Sequence, residues 1–240
     1  MIQTLLQTIE ETHQLTAGEL STRSRPESLA GANADIAVLH HTVELGLPRI
    51  GGLLPIENAN DVVGQMCERI PLREIGIPVF AGICGTEPVR YFSSFFRHLA
   101  DLGVSGVQNF PSIGLIDGGF RYNLESVRLG TRCEEKMLAL AMARGLEVLP
   151  FVYNQYEALA MAKLGARIVV LDLGFCSQEC DIRAELAQYL DRIQSVSALL
   201  RSVYPDVRLL IYSMYEEIAA QLRAAQLTCV DRLYRSVRIE

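Results

Sequence analysis

The chain has 240 residues, 50% of them hydrophobic and 21% charged, with 22 Lys and Arg against 28 Asp and Glu for a formal net charge of -6. So much apolar material excludes a disordered chain, and a chain of this length buries about 70–75% of the surface it exposes when unfolded. The acidic balance argues against a nucleic-acid surface, which needs clustered Lys and Arg, and with no run of 18 apolar residues no membrane partner is expected.

Residues 1–13 read as a helix ahead of the main fold; carrying Glu10 and Glu11 and no basic leader, they do not resemble a secretory signal. A weakly patterned stretch, Gln14–Leu20, is the candidate first strand. Clearer apolar or β-branched runs follow at Asp35–His40, Pro78–Ile83, Gly106–Phe110, Glu147–Tyr153, Arg167–Leu173, Val207–Tyr212 and Thr228–Tyr234. Between them, helical periodicity covers Asn60–Arg69, Pro88–Leu102, Arg132–Arg144, Gln155–Leu164, Ile182–Val203 and Met214–Ala225. The strand runs are continuous rather than alternating, as strands buried on both faces must be, so they predict a parallel sheet under helices.

Local punctuation supports this rhythm. Ser24 and Glu27, Thr131 and Glu134, and Asn154 and Glu157 have the spacing of capping boxes. Leu102-Gly103, Arg144-Gly145 and Leu164-Gly165 each offer a left-handed residue to close a helix. Eight βα units of about 30 residues fit a minimal barrel. A doubly wound sheet is the alternative, but it normally carries a Gly-rich turn after its first strand, and none is present. The predicted fold is therefore α/β, a single-domain (β/α)8 TIM barrel over residues 1–240. Six cysteines (Cys67, Cys84, Cys133, Cys176, Cys180 and Cys229) share no framework spacing and read as reduced thiols, with a cytoplasmic location expected.

In such a barrel, side chains just past the C-terminal strand ends line the site. That selects His40 and His41 after the second strand, with Glu57, Asn58 and Asn60 in the loop that follows. It also selects Cys84, Gly85, Thr86 and Glu87 after the third; Asn109 and a long loop, Ser112–Asn123, holding Asp117 after the fourth; Tyr153 and Asn154 after the fifth; Asp172 after the sixth; and Tyr212 after the seventh.

Gly52-Leu-Leu-Pro, Ala81-Gly-Ile-Cys-Gly-Thr, Gly103 to Gly118, Asn123-Leu-Glu125 and Phe151-Val-Tyr-Asn154 resemble the phosphoenolpyruvate hydrolase-like TIM-barrel family, from about Gly52 to Gly174. The resemblance implies a (β/α)8 barrel related to phosphoenolpyruvate- and pyruvate-utilising enzymes, whose members occur alone, beside another domain or ahead of transcriptional activators. The chain departs from the family pattern at four strand ends. Ala17-Gly-Glu-Leu-Ser-Thr22 offers one Gly where several are usual, and His40-His-Thr-Val-Glu44 replaces a Tyr-Asn-Ser-Gly run. Asp172 stands where a His is common, and Ile211-Tyr-Ser-Met214 replaces a Cys-His-Gly-Gly run.

Each candidate has two readings. Asn109 orients a substrate carbonyl or carboxylate, or ties down its loop. Asp117 ligates Mg2+ or Mn2+ or acts as a base, or forms an Asx turn before Gly118 and Gly119. Asp172 is a buried acid or metal ligand needing a partner. Glu57 is a further acid or ligand, while Glu87 complements a helix dipole and Asn60 reads as a cap. Gly85 and Thr86 offer amides for an anion at a helix N-terminus. Of the adjacent His40 and His41, one at most faces the site; His40 is taken as ligand-binding. Tyr153 and Asn154 touch ligand, or Asn154 caps the next helix. Cys84 reads as inert, and Cys176 and Cys180 fit no zinc spacing. Together these predict a hydrolase or lyase acting on a small anionic keto-acid or phospho-ester metabolite, with Asp117, Asp172 and Glu57 catalytic. The alternative is a catalytically degraded, ligand-sensing barrel. A positive mean hydropathy of +0.20 points to a homo-oligomer.

Overall fold

The computed structural model describes residues 1–12, 14–20, 34–41, 53, 57–175, 182–213, 216–224 and 232–239. An opening helix, α1 (Ile2–Thr12), leads into β1 (Gln14–Leu20) and β2 (Ile36–Leu39), followed by α2 (Ala59–Arg69), β3 (Val79–Gly82), α3 (Phe92–Leu102) and β4 (Gly106–Gln108). Next come α4 (Gly118–Ser126), α5 (Thr131–Met142), β5 in two short segments (Glu147–Val148 and Phe151–Val152), α6 (Gln155–Leu164) and β6 (Ile168–Asp172). The chain continues through α7 (Ile182–Val203), β7 (Arg208–Tyr212), α8 (Glu216–Ala224) and β8 (Arg232–Ile239).

Neighbouring strands all pair in parallel, and β1 lies between β2 and β8. The first segment of β5 pairs with β4, Val148 opposite Val107, and the second pairs with β6, Phe151 opposite Val170. Only Leu149 and Pro150 separate the two segments, so the sheet returns to itself and its eight strands form the predicted barrel.

Alternate residues of each strand enter two different cores. Leu15, Ile36, Val38, Phe80, Phe151, Ile168, Val170 and Leu210 fill the barrel. Ala37, Leu39, Val79, Ala81, Val107, Val169, Leu171 and Ile211 face outward and meet helix residues such as Met66, Phe96, Leu99, Leu138, Met161 and Ile193. With both faces dry, the strands carry no polar alternation. Helix α1 adds Ile2 and Leu5 to the inner core; because it runs directly into the start of β1, it covers the end of the barrel away from the strands' C-termini. Gly103 and Gly165 close α3 and α7's predecessor α6 at φ 111° and 105°, as the punctuation predicts. Among the described residues, no helix is long and apolar enough to cross a membrane.

Three elements differ from expectation. Helix α4 begins inside the stretch predicted as a loop and runs past its end at Asn123; it starts with Gly118-Gly119 and buries no residue, so it has no apolar stripe to betray it. Helix α3 begins at Phe92, because residues 87–90 form an irregular turn around the Arg90–Glu87 ion pair. The last strand runs on to Ile239, its apolar pattern interrupted by Arg235 and Arg238. The Ser24–Glu27 cap, Cys176, Cys180 and Cys229 lie outside the described residues.

Gly106 shows how tightly the inner core is built. A Cβ there would run into the Phe80 ring and sit 2.7 Å from the Glu147 carbonyl oxygen, which is backbone and cannot turn away. Gly106→Ala should therefore destabilise by about 1–3 kcal/mol. Gly119→Ala, with open space around the new methyl, should be neutral or slightly stabilising. Urea unfolding of the two variants checks the contrast, and equal midpoints would contradict it.

Candidate active site

Two asparagines do at the rim what a strand would otherwise do. Asn60, on the first turn of α2, accepts from Cys84 N at 2.8 Å and donates to Cys84 O at 3.0 Å. Asn109, just past β4, accepts from Phe151 N at 2.8 Å and donates to Phe151 O at 2.9 Å. Each side-chain amide thus pairs with both backbone groups of a strand-end residue, as a peptide unit in a ladder does. Behind each stands a carboxylate. Asn60 Nδ2 donates to Glu87 at 2.5 Å, and Asn109 Nδ2 donates to Glu134 at 2.7 Å. Both asparagines are buried and both amides are fully engaged.

The two carboxylates are electrostatically different. Burial works against ionised Glu87, but hydrogen bonds from Arg90, Asn60 and Asn58 outweigh it and hold its pKa below the ordinary value. Glu134, from the first turn of α5, has no cation in contact among the described residues. It accepts from Asn109, from Ser112 Oγ at 2.8 Å and from Ile113 N at 2.6 Å. Desolvation exceeds the help of these donors, and nearby Glu157 adds repulsion, so the pKa is pushed up to about 7. Glu157 completes the bracing: it accepts from Tyr153 N at 2.8 Å and from Arg121 at 3.1 Å. Arg121 also donates to the carbonyls of Ile113 and Ile116.

Beside the Asn60–Cys84 pair lies a rim cavity of about 200 Å³, lined by Leu53, Glu57, Asn58, Ala59, Asn60, Cys84, Thr86 and Glu87. Glu57 is half-exposed and takes a 2.7 Å contact from the Nε2 of buried His41. Burial raises the Cys84 thiol pKa, which suits an inert cysteine rather than a nucleophile.

A phosphoenolpyruvate hydrolase-like family model matches residues 27–226. The chain belongs to the phosphoenolpyruvate hydrolase-like family. It is 35% identical over 185 residues to the ToMV resistance protein Tm-1(GCR237) of Solanum lycopersicum, covering 74% of this chain and 24% of that relative, so it spans about a quarter of the length of the protein it matches. Among solved structures it superposes on the YdjI aldolase from Escherichia coli K12 (TM-score 0.53, 8% identity, 99% of this chain and 81% of that one). A 2-keto-3-deoxy-6-phosphogluconate aldolase of Zymomonas mobilis ZM4 gives TM-score 0.50 at 12% identity, covering 98% and 85%. At such identities these two show the barrel fold alone.

Within this family barrel, the predicted residues divide clearly. Asn109 ties strand ends together and has no donor left for a substrate. Asn154 is a helix cap, accepting from Tyr156 N and Glu157 N at 3.0 Å. Asn58, rather than Asn60, caps α2, accepting from Asp61 N at 3.0 Å. His40 turns into the barrel, stacked on Phe110 with centroids 4.0 Å apart and bonded through Nε2 to Gln108 at 2.9 Å. Tyr153 is buried with Gly114 lying against its ring. Gly85 is pressed against the α5 backbone, where a Cβ would lie 2.9 Å from Glu134 Cα, and α3 starts only at Phe92, so the helix that follows Thr86 in sequence does not present its N-terminus to Gly85 and Thr86. Thr86 reaches the cavity, its hydroxyl 3.4 Å from Cys84 Sγ. Glu134 does not complete a capping box; it points at the β4 loop instead.

Asp117 is exposed at the start of α4 and makes no capping bond, whereas Asp172 is fully buried at the end of β6 and accepts from Gly174 N at 2.9 Å. Among the described residues, no three His, Cys, Asp or Glu side chains converge as a metal ligand set. Among the described residues, the predicted Mg2+ or Mn2+ pair, Asp117 and Asp172, is joined by no third ligand of this kind.

Glu134 makes the rim pH-sensitive. Its folded pKa of about 7 lies above the ordinary 4.5, so the folded state binds the proton more tightly than the unfolded chain. Its contribution to stability is full below about pH 4.5 and is lost as pH rises through 7, up to about 3 kcal/mol. Glu134→Gln should flatten the urea midpoint between pH 5 and 7.5 relative to wild type; an unchanged slope would contradict the assignment.

Proposed function

We propose that the chain is a hydrolase- or lyase-type barrel acting on a small anionic keto-acid or phospho-ester metabolite at the C-terminal rim. Family membership supports this reading. The observation that carries it is Glu57, a carboxylate lining a rim cavity and contacted at 2.7 Å by a buried imidazole. His41 restricts Glu57 to one orientation, and an oriented carboxylate can take a proton next to a carbonyl and return it. Thr86 supplies a hydroxyl in the same cavity, while the Asn60–Glu87 pair fixes the wall that carries it.

A second reading, ligand sensing without turnover, is favoured by the filling of the barrel axis. Ring contacts run from His40 to Phe110, Phe151, Tyr212 and Tyr234 with centroids 4.0 to 6.3 Å apart, and leave the cavity to one side. We also propose a homo-oligomer in the cytoplasm without nucleic-acid or membrane partners; exposed Phe120, Tyr122 and Tyr156 support self-association.

The test is a panel of pyruvate, phosphoenolpyruvate and related keto-acids and phospho-esters, with and without Mg2+ or Mn2+. Turnover by the wild type, reduced about 10²- to 10⁴-fold in Glu57→Gln, is the expected result. Saturable binding without turnover would establish the sensing reading instead, and no binding by any member would overturn both.

A further inference from the structure

Three arginines with restricted exposure have described contacts near the strand ends, and two are neutralised. Arg90 bonds Glu87 and Asp61, and Arg121 bonds Glu125 and Glu157. Arg192, on α7, has no carboxylate partner among the described residues. One of its terminal nitrogens donates to Leu173 O at 2.6 Å, immediately past β6, and its guanidinium carbon lies 5.3 Å from the Tyr189 ring centroid. Its Nε is buried and makes no hydrogen bond.

A guanidinium has five donors, and burying one without an anion leaves desolvation uncompensated. Desolvation indeed outweighs the attraction of Tyr189 and Glu185 and lowers the Arg192 pKa. Next to Leu173, Gly174 adopts φ +79°, and among the described residues nothing lies within 4 Å of where its side chain would be. An incompletely paired cation therefore stands at the level of the strand ends, three strands around the sheet from the Glu57 cavity.

We propose that Arg192 is the anchor of a second rim site, at the end of β6, for a compact anion: a carboxylate or a phosphoryl group. The fork of the guanidinium matches two oxygens of either group. The site is independent of the Glu57 reading and can stand or fall without it.

The experiment titrates the full chain with inorganic phosphate and, separately, with pyruvate, following the melting temperature at constant ionic strength with chloride as control. Wild type should be stabilised in a saturable way by at least one of the two, with phosphate alone assigning a phosphoryl site and pyruvate alone a carboxylate site. Arg192→Gln should raise the half-saturating concentration at least tenfold, and Arg192→Lys, which keeps the charge but loses the fork, should fall between. Without added anion, Arg192→Gln should melt at or above the wild-type temperature, because an uncompensated charge has been removed. Wild-type anion dependence in Arg192→Gln would overturn the proposal while leaving the Glu57 reading intact. So would a wild type indifferent to both anions, or a variant that melts several degrees lower and responds to anions as before.

Discussion

The hydrogen bonds between the Asn109 amide and the backbone of Phe151 are the constraint on which the rest of the rim depends. β4 stops pairing with β5 after Val148, and the second segment of β5 pairs only with β6. Pro150, which has no N–H to donate, sits in this break. Removing the Asn109 amide would take these two bonds from the buried N–H and C=O of Phe151, at a cost of about 1–3 kcal/mol for each bond lost. The side-chain amide supplies both partners at 2.8 and 2.9 Å and joins the two ends of the sheet.

Glu134 extends that constraint to the loop above. Its two oxygens gather Asn109, Ser112 and Ile113, so the amide that joins the strands and the turn that leaves β4 are held by one carboxylate. Leu115, a little further along, packs against the inner core, and Gly114 rests on Tyr153. The same arrangement occurs at β3, where Asn60 and Glu87 fix Cys84 beside the candidate cavity. There Arg90 neutralises the carboxylate. The difference between the two pairs leaves Glu134 alone titrating near neutrality, a direct consequence of whether a cation reaches the buried acid.

The barrel was legible because its strands are buried on both faces and two of its helices, α3 and α6, end at glycines. Ile168–Asp172 and Gln155–Leu164 carry their signals within a few residues. The site was less legible because its decisive contacts cross 24 to 42 positions of sequence, as between Asn60 and Cys84 or Asn109 and Phe151. Glu134, three residues after Thr131, has the spacing of a local cap, and nothing in that pattern says that its carboxylate prefers a buried loop. Asn109 is conspicuous as a polar residue at a strand end, yet a strand-end asparagine that binds ligand and one that replaces a ladder bond have the same sequence context. Asp117 and Asp172 illustrate the converse: the same residue type after β4 and at the end of β6, one exposed and one fully buried. Arg192 escaped notice because it lies mid-helix, where its position at strand-end level depends on how far α7 rises above β6.

Native-state hydrogen exchange of the Phe151 amide in Asn109→Ala tests the central claim most directly. In the wild type this amide should exchange only through large-scale unfolding. In the variant its opening free energy should fall by about 2 kcal/mol or more relative to the global value, roughly thirty-fold faster exchange, while amides of β1 and β2 keep their protection relative to global stability. Equal protection of Phe151 in wild type and variant, measured against each protein's own global stability, would show that the barrel closes there without the Asn109 amide.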